Sequence, residues 1–192
     1  AWDKGGIQRK FNIKVMRTLI FISAVLLQST WTMAQTADST VSDIRLKYNT
    51  IRIHLAGYDT TMTEIWYEST EGGHAIAYYD KNNDLKLIEV TWFGETGKRI
   101  TEYYFDNRKL IFAFDRDFDY NRPIYWNEKK AKEMGDNEVF DPMKTIVRED
   151  RYYFNNEKLF LWLNNEGKSV DLSVGTNTLV GQGLKAHAYK TK

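Results

Sequence analysis

The chain reads as one α+β domain, an antiparallel β-meander of about six or seven strands with an N-terminal helix packed on it. Three observations predict this. From Gly72 to Asp115, short runs rich in aromatic and β-branched residues alternate with tight links of Asn, Asp and Gly, the pattern of consecutive antiparallel strands. The hairpin Tyr103-Tyr104-Phe105-Asp106-Asn107-Arg108-Lys109-Leu110 returns as Tyr152-Tyr153-Phe154-Asn155-Asn156-Glu157-Lys158-Leu159, and a looser copy runs from Tyr78-Tyr79-Asp80 to Asn83-Asp84-Leu85-Lys86-Leu87. Before the first strand, Ile44, Tyr48, Ile51 and Leu55 recur at helical spacing, and such a stripe needs a sheet to dock on.

The first 34 residues are expected to be a secretory signal peptide. Lys14 and Arg17 precede the uncharged run Leu19–Leu27, and Thr32-Met33-Ala34 places small residues at a cleavage site. The apolar run is too short for a bilayer span, which takes ~20 residues. Residues 1–15 are read as translated from upstream of a true start at Met16. Cleavage would remove Lys4, Arg9, Lys10, Lys14 and Arg17 with one acid, Asp3, from 27 basic and 26 acidic residues, leaving an acid excess of three. The pI near 8 therefore belongs to the precursor. No basic stripe remains to meet nucleic acid. There is no cysteine, so stability must come from the core rather than from disulfides. The expected location is periplasmic or extracellular, without a membrane span after cleavage.

Residues 35–41 are small and polar and read as a mobile leader; the domain is expected over 42–192. Ser42 is placed as the helix cap, with Asp43 at its positive end and Gly57 stopping it. Thr60–Ser69 is a first strand, and Glu71-Gly72-Gly73 a turn. The strands His74–Tyr79, Leu85–Phe93, Lys98–Phe105 and Lys109–Asp115 follow, linked by Asp80–Asp84, Gly94-Glu95-Thr96-Gly97 and Asp106-Asn107-Arg108. Plain alternation puts Leu110, Phe112 and Phe114 on one face, and Leu85, Leu87 and Phe93 opposite Ile88, Val90 and Trp92. Neither face is polar throughout, so one face is expected to carry the helices and the other to be partly covered. The charged run Asp115–Arg122 should leave the sheet, with Pro123 ending any ladder. Glu128–Met134 is a short helix closed by Gly135, Asp136–Met143 a loop, and Thr145–Phe154 with Lys158–Leu163 a last hairpin. Leu172, Leu179, Val180 and Leu184 are weakly helical in a tail interrupted by Gly175, Gly181 and Gly183.

Few patterns carry chemistry. Asp115, Asp117 and Asp119 alternate like the opening of a calcium loop, the one cofactor suggested. Tyr120 replaces the turn glycine, however, and Trp126 the closing acid. A strand end alternating charge into solvent is the better account, because two elements of the loop are missing. His54, His74 and His187 lie far apart and share no zinc spacing. No serine sits in a GxSxG elbow, and Gly94–Lys98 lacks the spacing of a phosphate loop. What stands out is the surplus of aromatics. Each of the pairs 78–79, 103–104 and 152–153 must send one tyrosine to each face. Trp92, Tyr104 and Trp162 are then expected to line an aromatic binding surface edged by Arg99, Glu102 and Arg151. The alternative is a second small core beneath the terminal helix.

At Glu71-Gly72-Gly73, Tyr78-Tyr79, Gly94-Glu95-Thr96-Gly97-Lys98, Glu102-Tyr103-Tyr104-Phe105 and Tyr120-Asn121-Arg122-Pro123-Ile124-Tyr125, the chain resembles a group of exported bacterial proteins of unassigned function. The likeness runs from Asp43 to about Leu163. It implies an exported, mostly β domain with flanking helices and brings no catalytic residue with it. The expected function is a non-enzymatic module binding a protein or glycan of the cell envelope. The alternatives are a hydrolase whose acids and histidines converge only in three dimensions, and a calcium-stabilised domain.

Overall fold

A computed structural model describes residues 38–66, 69 and 71–191; the expected signal peptide lies outside them. Residues 43–192 form one compact unit. A helix over residues 38–54 (α1) runs into a 3-10 turn, Leu55–Gly57. Seven strands follow: β1 (Asp59–Ile65), β2 (Gly73–Tyr79), β3 (Leu85–Gly94), β4 (Gly97–Asp106), β5 (Lys109–Asp119), β6 (Ile146–Asn155) and β7 (Lys158–Leu163). They make a single antiparallel sheet in sequence order, the meander that the short links demand. Between β5 and β6 the chain makes an excursion carrying α2 (Glu128–Glu133) and a 3-10 turn, Pro142–Lys144. The chain closes with α3 (Asn177–Lys190).

The threefold repeat is a bulged hairpin. In each copy one residue has no partner across the ladder: Lys86 where Tyr78 pairs with Leu87 and Tyr79 with Leu85, Ile111 where Tyr104 pairs with Phe112 and Phe105 with Leu110, and Phe160 where Tyr153 pairs with Leu161 and Phe154 with Leu159. A bulge reverses the alternation beyond it. Leu85 and Leu110 therefore turn onto the face of Ile88, Val90 and Ala113, where they are buried with Phe105 and Phe154. Plain alternation assigned both leucines to the opposite face; the bulge is the reason it fails. The turns of the two close copies put both central residues at positive φ, 49° and 64° at Asn107 and Arg108, 48° and 61° at Asn156 and Glu157. That is the type I′ geometry whose twist matches the flanking strands.

Each face of the sheet carries one helix, where both had been expected on one. The inner face, with Ile88, Val90, Tyr103, Phe105, Leu110 and Tyr152, is covered by α3 through Ala188, Leu184, Val180 and Tyr189. The outer face holds Tyr104, Phe112 and Tyr153 and is covered by residues 44–52. Tyr48 lies edge-on to Tyr104 at 5.0 Å and to Phe112 at 5.6 Å. Burying a large apolar side chain contributes ~1.5–3 kcal/mol, so both layers stabilise the unit. Gly181 of α3 is part of this fit. A Cβ on Gly181 would stand 2.6 Å from Leu159 Cβ, so only glycine lets the helix lie against β7 there.

Other boundaries differ from the sequence reading. Residues 38–41, expected in a mobile leader, are helical, and Ser42 lies inside α1 rather than capping it. β1 ends at Ile65, short of Ser69. The charged run does not leave the sheet at Asp115: β5 continues to Asp119, paired with both β4 and β6. Alternation of charge with Arg116 and Phe118 suits a strand as well as a loop.

Candidate functional site

The expected aromatic surface is divided between the two faces. Trp92 and Trp162 pack against the inner core under α3, and Trp162 donates its indole N–H to Asp150 at 2.9 Å. Tyr104 lies on the outer face and is 0% exposed. The pleat accounts for this: the pairings of β3, β4, β6 and β7 set Trp92, Arg99 and Trp162 on one side and Glu102, Tyr104 and Arg151 on the other. A small core beneath the terminal helix, the alternative reading, describes Trp92 and Trp162.

On the inner face Arg99 and Asp115 form a bidentate pair, Nε lying 2.9 Å from both carboxylate oxygens and Nη2 also bonding Oδ2. Thr101 adds a bond of 2.7 Å to the same buried carboxylate. These bonds hold the Arg99 guanidinium in its charged form, above its usual pKa despite burial. Asp117 and Asp119 instead face Arg148 at 3.6 and 3.3 Å. The three acids that resemble the opening of a calcium loop thus each face an arginine, Asp115 its own and Asp117 and Asp119 a shared one. Among the described residues no group of three His, Cys, Asp or Glu is placed to hold a metal ion.

Glu102 is the most buried acid of the outer face, 1% exposed. Arg116 donates to it at 2.6 Å, Arg52 approaches at 3.4 Å, and Tyr104 donates its hydroxyl. Burial, reinforced by Glu102, pushes the Tyr104 phenol far above its ordinary pKa. Across the ladder Glu102 is paired with Glu89, whose carboxyl is raised by burial and then by Glu102. This cluster is a charged network inside the helix–sheet layer, in which Glu102 is met by two arginines and a phenol while the buried Arg116 Nε finds no partner among the described residues.

The histidines do not converge. His54 Nδ1 bonds the Thr50 carbonyl at 2.8 Å on α1, and His74 lies against the Phe93 ring at 5.6 Å. His187 shares a 2.7 Å hydrogen bond with the Tyr103 hydroxyl and stands 5.9 Å from Trp92. There it borders an open cleft of about 370 Å³ with Arg99, Thr101 and Leu184.

The second cleft, on the outer face, brings aromatic rings and guanidiniums together. About 360 Å³ in volume, it lies between Ile44, Arg45, Tyr48 and Asn49 of α1 and Phe112, Phe114, Arg151 and Tyr153 of β5 and β6. Its floor follows from register: Phe112 faces Tyr153, and Phe114 faces Arg151, as cross-strand neighbours. Phe112 and Phe114 lie nearly parallel at 6.4 Å, and Tyr153 lies 4.9 Å from Phe112. The Arg116 and Arg151 guanidiniums sit over the Phe114 ring at 5.4 and 5.0 Å, a favourable placement for cations. Arg151 also pairs with Glu149 at 2.5 Å. Arg45 is exposed at the mouth and makes no ion pair among the described residues. Of the six expected site residues only Arg151 is here. Alternation along β5 and β6 marks Phe112, Phe114, Arg151 and Tyr153 as one set, but no sequence signal brings α1 over them.

Among the described residues no helix is long and apolar enough to cross a membrane. Comparison with family models, with curated proteins and with solved structures finds no match.

Proposed function

We propose that the chain is an exported, non-enzymatic binding module of the cell envelope that takes its ligand in the outer cleft between α1 and strands β5 and β6. One observation carries this reading: aromatic rings on the floor and guanidiniums at the rim converge on a cleft of about 360 Å³, within the ~300–1,000 Å³ of small-molecule sites. Its lining holds no histidine, serine or carboxylate, so it offers surface and charge rather than a nucleophile with its base. Export is supported by the basic, apolar and small-residue order of residues 14–34.

The test is NMR shift mapping with a mixture of small aromatic and aliphatic acids, alcohols and amines. Perturbations should cluster at residues 44–49, 112–114 and 151–153 and disappear in Phe114→Ala. Shifts confined to the cleft beside His187, or none at all, would refute the assignment.

A further inference from the structure

Resting on that reading of the outer cleft, we infer that its ligand is a small organic anion, a planar apolar body bearing a carboxylate or a similar acid. The apolar part follows from the floor. Phe112, Phe114 and Tyr153 present rings from two adjacent strands, and Tyr48 closes the helix side. A flat hydrocarbon laid on these rings replaces water there with offset or edge-on ring contacts.

The charge follows from a census of the ionisable groups around the cleft. Arg45 comes from α1, Arg116 from β5, and Arg151 with Glu149 from β6. Arg116 is committed to Glu102, 2.6 Å away. Arg151 shares its charge with Glu149, but both side chains of that pair are about one-third exposed, at 34% and 36%. A solvent-exposed pair of this kind is weak and yields to a competing anion. Arg45 has no acid to neutralise it among the described residues. The cleft lining therefore carries two guanidiniums and no carboxylate, and its potential is positive. Arg45 and Arg151 also come from different layers, helix and sheet, so one acid group at the mouth could accept from both forks. The Asn49 amide supplies a further polar contact at the same rim. A cationic ligand would meet the same guanidiniums with repulsion.

The experiment is calorimetric titration of the full chain with two isosteric probes, 2-naphthoate and 2-naphthamide. Naphthoate is expected to bind about tenfold more tightly, the gap between a charge-assisted and a neutral hydrogen bond. Arg45→Gln and Arg151→Gln should each narrow that gap by weakening naphthoate more than naphthamide, and Phe114→Ala should weaken both probes. Unchanged thermal unfolding of the arginine variants would exclude a folding effect. Equal affinity for the two probes, or a gap untouched by the arginine variants, would overturn the anionic ligand while the cleft stands as a site. Binding of neither probe, or binding indifferent to Phe114→Ala, would overturn the cleft itself and the inference with it.

Discussion

Gly181 and Gly183 lie two positions apart in α3, and replacing each by alanine separates helix propensity from steric fit. Both substitutions remove the same backbone freedom from the unfolded chain, and each should gain about 1 kcal/mol of helix stability. Gly183 faces open space, with nothing within 4 Å of an added Cβ, so Gly183→Ala should show that gain undiminished. At Gly181 the added methyl would meet Leu159 Cβ at 2.6 Å. That atom is fixed to the β7 backbone and cannot swing aside, so the helix itself must shift. Overpacking of this kind costs about 1–3 kcal/mol, which leaves Gly181→Ala between neutral and about 2 kcal/mol destabilised. In a unit of this size each kcal/mol moves Tm by about 2–4 °C. Thermal unfolding followed by near-ultraviolet circular dichroism, where the Tyr152–Trp162 pair beneath α3 reports packing, is the assay. Equal rises in Tm for the two variants would show that α3 does not press on β7, and the account of the inner face would fail.

Two further outcomes follow from the same geometry. Arg108 and Glu157 hold equivalent left-handed positions in the two turns, yet their substitutions should part company. Arg108→Gly relieves the φ strain and keeps the carbonyl that accepts from Tyr189 at 3.0 Å; it should stabilise by up to about 1 kcal/mol. Glu157→Gly also deletes the carboxylate that pairs with Lys185 at 3.2 Å and accepts from Tyr189. Denaturant unfolding should show no gain, and equal gains for the two variants would argue against the clamp of α3 on the turns. In the β5–β6 excursion the Asp136 carboxyl is held down at about 2 by hydrogen bonds from Arg122, aided by the Glu138 backbone N–H. Because the folded value is lowered, this contribution is complete above the ordinary carboxylate pKa and is lost as pH falls from there through about 2. A carboxyl ¹³C titration should give a midpoint near 2 that reverts toward the ordinary range in Arg122→Gln; a wild-type midpoint near 4 would contradict the pairing.

Much of this architecture is written locally. Short Asn-, Asp- and Gly-rich links admit only antiparallel neighbours, so the meander and its strand order follow from sequence. The doubled tyrosines likewise announce a sheet covered on both sides. Tyr103 meets His187 beneath α3, while Tyr104 meets Tyr48 beneath α1. Where local reasoning failed, a distant partner had decided. Leu85 and Leu110 change face because a bulge adds a residue to one strand alone, a property of a pair of strands that neither displays by itself. Asp115 stays within a strand because β4 and β6 lie on either side and Arg99 neutralises it. Gly181 and Gly183 look like helix breakers until Leu159 supplies the reason for one of them.

The chain by itself determined which segments become strands, in what order they pair, and that both faces of the sheet must be covered. Backbone hydrogen bonding and short loops act between neighbours in sequence, and their pattern is visible there. Only the tertiary structure decided which helix covers which face, and therefore that Trp92 and Trp162 serve the core while Phe112, Phe114, Arg151 and Tyr153 meet Arg45 and Tyr48. Side-chain packing and ion pairing depend on groups brought together from distant parts of the chain, so the cleft exists only once α1 has docked on the sheet.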